Sequence, residues 1–102
     1  MADGASPVNI VTPNGYSYAY IATQTTTLVK TGQGVLHSIT INTPAATGTI
    51  TVYDGLSASG TKFATITSFA AGTETFLYDV IFGTGLTIVT ATANVDITVA
   101  YR

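Results

Sequence analysis

Apolar and polar residues alternate by twos along nearly the whole of this 102-residue chain, and no stretch sustains the i, i+3, i+4, i+7 apolar stripe of an amphipathic helix. A period of two sends successive side chains to opposite faces of a strand, so such a chain buries apolar surface only by pairing strands into sheets. The dipeptide Ile-Thr recurs at Ile39-Thr40, Ile50-Thr51, Ile66-Thr67 and Ile97-Thr98, each time within an alternating run that parts the Ile from the Thr. β-Branched side chains suit a pleated, half-buried surface. Ile39, Ile41, Ile50, Val52, Ile66, Ile97 and Val99 are therefore expected in a core, with Thr40, Thr51 and Thr98 facing outward.

Gly-Thr recurs at Gly48, Gly60, Gly72 and Gly83, at intervals of twelve, twelve and eleven residues, close to the strand-plus-turn repeat of sandwiches and barrels. The predicted strands are residues 16–21, 25–30, 35–42, 49–54, 62–68, 75–82, 86–90 and 96–102. The segments between them, such as 31–34, 43–47 and 83–85, are short and rich in turn-forming or small polar residues, which favours antiparallel neighbours. The expected fold is all-β, an antiparallel two-sheet sandwich of jelly-roll type with about eight short strands. A small closed barrel is the alternative. This domain covers residues 15–102, and residues 1–14 read as an extended N-terminal arm. In the arm, Pro7 and Pro13 flank a short apolar piece whose Val8, Ile10 and Val11 would anchor it on a neighbouring subunit; the other reading is a frayed terminus.

Composition narrows the function. Only 8% of the residues are charged, against roughly a quarter in an ordinary soluble domain. Solubility must then come from a hydroxyl-rich surface or from burial against other copies or partners, so a homo-oligomer is expected. Three basic residues, Lys30, Lys62 and Arg102, and a net charge of −2 argue against direct nucleic-acid binding. Met1-Ala2-Asp3-Gly4 lacks the basic and apolar regions of a secretory signal, and no apolar run reaches the ~18 residues of a membrane span. Synthesis in a cytoplasm, without a membrane partner, is the expectation.

The inventory for chemistry is thin. There is no cysteine, a single histidine (His37) and no Gly-x-Ser-x-Gly elbow, so neither a serine triad nor a structural zinc site is expected. Neither is a cofactor. Alternation places His37 on the face of Val35, Ile39 and Ile41, a structural position. Asp54-Gly55 is the strongest local turn signal, with Asp54 capping the backbone and Gly55 at positive φ; calcium held by Asp54, Asp79 or Asp96 is the alternative use of these acids. The most distinctive feature is Tyr16-Ser17-Tyr18-Ala19-Tyr20, which puts Tyr16, Tyr18 and Tyr20 on one side of a strand. Such a stripe serves a core, a subunit contact or the stacking of sugar rings, because tyrosine offers an apolar body and a hydroxyl at low entropic cost. The three tyrosines join the arm residues as candidate contacts.

Three stretches together carry a family resemblance: Leu36-His37-Ser38-Ile39-Thr40-Ile41-Asn42-Thr43-Pro44; Ile50-Thr51-Val52-Tyr53-Asp54-Gly55 with Ser57-Ala58-Ser59-Gly60-Thr61; and Asp96-Ile97-Thr98-Val99-Ala100-Tyr101-Arg102. Over residues 24–102 the chain resembles the small β-sandwich virion surface proteins of tailed bacteriophages, nearest to capsid decoration, or cement, proteins. The resemblance implies a non-enzymatic virion protein made in many copies in the bacterial host cytoplasm and placed on the capsid exterior. It further implies a trimer partnered by the major capsid protein. Tail, neck or fibre components, and a carbohydrate or host-surface binding module using the tyrosine stripe, are the alternatives.

Overall fold

The computed structural model describes residues 15–43, 45–69 and 73–102. Those residues form eight strands: β1 (Ser17–Ile21), β2 (Thr25–Thr31), β3 (Gly34–Thr43), β4 (Ala45–Asp54), β5 (Thr61–Phe69), β6 (Glu74–Phe82), β7 (Gly85–Ala91) and β8 (Asp96–Tyr101). They build two antiparallel four-stranded sheets, ordered β1-β8-β3-β6 and β2-β7-β4-β5. The pairing is that of one long hairpin. From its open end to its tip, β1 pairs with β8, β2 with β7, β3 with β6 and β4 with β5. Rolling this ribbon brings β8 against β3 and β7 against β4, which completes both sheets. The result is a jelly roll, the expected fold, and not a closed barrel.

The core follows from alternation. All seven expected core residues are buried, and Leu36, Phe82, Leu86, Ile88 and Val95 join them in a single cluster. Thr40 and Thr98 stand opposite each other on the outer face of the first sheet, and Thr51 lies on the outer face of the second, paired with Thr65. Burying one such aliphatic side chain contributes roughly 1.5–3 kcal/mol. Ile50→Ala should therefore cost about 2–5 kcal/mol through the cavity it leaves, whereas Thr51→Ala should stay within about 1 kcal/mol. Urea denaturation of the two variants measures both, and equal costs would mean that Ile50 is not a core residue.

Two turn expectations need correction. Residues 43–47 are not a loop: β3 runs to Thr43 and β4 begins at Ala45, with Gly48 buried inside the strand where the pairing to β5 shifts register between Ala45 and Thr49. Edge and corner strands use such shifts to bend, and a missing side chain lets the backbone do so. Gly55 is not at positive φ; among the described glycines only Gly32 is, at 91°. Gly55 is needed for space, since a Cβ there would lie 2.8 Å from the Cα of Gly60.

Asp54 does cap backbone, but in the loop that leads into β7, its neighbour strand in the same sheet. Its carboxylate accepts hydrogen bonds from the N–H groups of Gly83 and Thr84, both at 2.9 Å, and a longer one from Gly85. It thereby ties the end of β4 to the β6–β7 loop. The Gly83 and Thr84 amides hold its carboxyl below the usual carboxylate range, because they favour the charged form. A depressed folded-state pKa adds stability above the unfolded-state value and loses it as pH falls through the folded one. The thermal midpoint should thus fall as the pH drops below about 4. In Asp54→Asn the midpoint should be lower at neutral pH and its acid loss shallower; an unchanged acid limb would assign that loss to other groups.

Candidate interaction surface

The outer face of the β1-β8-β3-β6 sheet gathers the tyrosines. Alternation along β1 turns Ala19 and Ile21 toward the core and leaves Tyr18 and Tyr20 outside, and Tyr16 continues the stripe just before the strand. Tyr16, Tyr18 and Tyr20 are 41%, 74% and 59% exposed. This excludes the core as their place. Cross-strand pairing extends the face from β1 to β6. Tyr18, Ala100, Ser38 and Leu77 lie in one row, and Tyr20, Thr98, Thr40 and Thr75 in the next. Leu77 and Ile81 on β6 are as exposed as the tyrosines, at 66% and 68%. Bulky side chains therefore line both edges of the sheet, and small ones, Ala100, Ser38, Thr98 and Thr40, form its middle. Among the described residues no enclosed pocket opens here or elsewhere.

Both ends of the tyrosine row are fixed by polar contacts. At one end Tyr20 donates its hydroxyl to Asp96 Oδ2 at 2.6 Å, and Asn42 Nδ2 donates to Asp96 Oδ1 and to Thr98 Oγ1, each at 3.0 Å. The hydrogen bond to Asp96, with burial and the carboxylate charge behind it, raises the Tyr20 pKa and keeps the phenol a donor. At the other end the Tyr16 ring stacks on His37, with centroids 4.2 Å apart and planes 15° from parallel. The Arg102 guanidinium lies 5.0 Å from the Tyr16 ring centroid, within cation–π range. His37 Nδ1 is 2.5 Å from Asp79 Oδ1. An ionised carboxylate only accepts, so His37 donates through Nδ1.

His37 does not face Ile39 and Ile41, as alternation had it. Between the Leu36–Tyr101 and Ser38–Ala100 pairs, β3 carries one residue more than β8, and that residue is His37. Between Leu36–Val80 and Ser38–Leu77, β6 in turn carries Tyr78 and Asp79 against His37. Asp79 closes this double bulge at φ 51°, a left-handed conformation that Asp tolerates better than most residues. A bulge adds one residue and reverses the parity that follows it. His37 lies on the outer face, against Tyr16 and Asp79.

Val8, Ile10 and Val11 lie outside the described residues. The three acids weighed for calcium are kept apart: Asp54 faces the loop of Gly83 to Gly85, Asp79 faces His37, and Asp96 faces Tyr20 and Asn42. Among the described residues no three His, Asp or Glu side chains group to hold a cation. The β6 contributors Leu77 and Ile81 were missed by the sequence reading. Their alternation was visible, but only the sheet order places β6 on the same face as β1.

No family model matches the chain, and no curated protein matches its sequence. Among solved structures, a chain of Bacillus endospore appendages, described as a family of disulfide-linked pili, aligns over 93% of this chain and 93% of that chain. The TM-score is 0.49 and the sequence identity 14%. The present chain contains no cysteine.

Proposed function

We propose that this chain is a non-enzymatic structural protein of a bacteriophage virion, which binds the capsid exterior as an oligomer and stabilises the shell by surface contact. The observation that carries the assembly reading is the open face bearing Tyr16, Tyr18, Tyr20, Leu77 and Ile81 on a chain that is only 8% charged. Together these side chains expose on the order of several hundred Å² of largely apolar surface, the size of patch that marks an interaction site. Tyrosine and β-branched residues lose less side-chain entropy on docking than Lys or Glu would. The sequence resemblance over residues 24–102 is what supports a major capsid protein as the partner. A modest free energy per copy becomes large when repeated over a shell.

Sedimentation of the purified chain at tens of micromolar should resolve an associated species, and antibody against the chain should label the heads of purified virions. A strictly monomeric chain together with unlabelled virions would overturn the proposal, and label on tails or fibres would move it to those structures. The exposure of the tyrosine row also favours a second reading, carbohydrate recognition. The chain has no tryptophan and six tyrosines, three of them in the row, so the part of the tyrosine emission change that Tyr18→Ala removes reports the row. A saturable emission change with soluble host oligosaccharides, abolished in Tyr18→Ala, would replace the assembly reading.

A further inference from the structure

We infer that two copies of this chain associate through their β1 edges, paired antiparallel about Ala19, so that the two β1-β8-β3-β6 sheets become one continuous eight-stranded sheet. The inference rests on the assembly reading above and names the contact. Among the described residues there are four sheet edges, β1, β6, β2 and β5. Three carry devices that discourage strand addition: β6 has Glu74 and the bulge at Asp79, β2 has Lys30 beside a register shift, and β5 has Lys62 and shifted pairing to β4. β1 has none. It is Ser-Tyr-Ala-Tyr-Ile, without charge or proline, and its register against β8 is unbroken from Ser17–Tyr101 to Ile21–Ile97. An edge of that kind is a template for another strand.

Self-pairing of β1 is geometrically consistent. With Ala19 on the two-fold axis, Tyr18 of one copy faces Tyr20 of the other and Ser17 faces Ile21, so every residue meets one from its own face. The exposed rings of Tyr18 and Tyr20 from both copies then form cross-strand aromatic pairs, which stabilise an antiparallel sheet. A two-fold contact closes with two copies, and the edge therefore specifies a dimer instead of the trimer that the resemblance implies. Covering two tyrosines and a five-residue edge stays well below the ~800 Å² per partner of stable complexes. The free dimer should be weak and gain strength when copies are arrayed.

The chain lacks cysteine, so single-cysteine variants of the full chain report the contact. Directly opposed residues of antiparallel strands lie about 4.5–5.5 Å apart at Cα, within disulfide range. Under mild oxidation Ala19→Cys should form a covalent dimer. A mixture of Tyr18→Cys and Tyr20→Cys chains should cross-link at least ten times faster than Leu77→Cys, an equally exposed control. Should Ala19→Cys fail to fold, the tyrosine mixture decides, because those side chains face water. Absence of cross-linking above the control overturns the inference. So does cross-linking that appears only after residues 1–14 are removed, which would mean that this segment covers the edge. An associated species in sedimentation without β1 cross-links overturns this contact and leaves the assembly reading standing; a monomer in both experiments overturns this contact, and unlabelled virions in addition remove the assembly reading.

Discussion

Phe82→Ala should destabilise the chain by about 3–5 kcal/mol, the usual cost of emptying a fully packed aromatic site. Phe82 is the largest of the fully buried side chains, and it ends β6 opposite Gly34, the first residue of β3. For a domain of this size that cost corresponds to a fall in thermal midpoint of roughly 15–30 °C, a large share of the 5–15 kcal/mol that holds a small domain together. Differential scanning calorimetry gives the value directly. A loss under about 1 kcal/mol would mean that the β6 end of the core is loosely packed.

Gly34→Ala should be nearly as damaging, for the opposite reason. A Cβ at Gly34 would run into the Arg102 carbonyl oxygen and lie 2.7 Å from Phe82 Cζ. The backbone has little room to retreat, because Val35 and Arg102 exchange hydrogen bonds of 2.6 and 2.9 Å beside it. Overpacking of this kind costs about 1–3 kcal/mol, and the backbone clash puts Gly34→Ala at the upper end. The two sites are coupled, since the Phe82 ring occupies the space a Gly34 side chain would need. Phe82→Leu should therefore relieve part of the Gly34→Ala cost, so that the double variant is less unstable than the sum of the singles. Strict additivity would show that the Arg102 carbonyl alone sets the penalty.

Period-two alternation made the eight strands, the Ile and Val core and the jelly-roll class legible before any coordinates, because each depends on local parity and on burial of one face. Ile39 and Ile41 in β3, Ile50 and Val52 in β4, and Ile97 and Val99 in β8 needed only their immediate neighbours to be placed. Asp54 shows where that reasoning ends. Its capping role was readable from the Asp-Gly pair, but the amides it caps are 29 to 31 residues away, in a loop that the roll of the ribbon brings to it.

The tyrosine row divides in the same way. Sequence alone determined that Tyr16, Tyr18 and Tyr20 share one side of a strand, since parity within five residues is a local property. Tertiary structure decided that this side is open, that Leu77 and Ile81 border it from the opposite edge, and that β1 is an edge at all. It also moved His37 to that face, through a bulge whose extra residue exists only relative to the strands beside it. Parity is written along one chain, whereas exposure, register and edges are relations between strands that pairing creates.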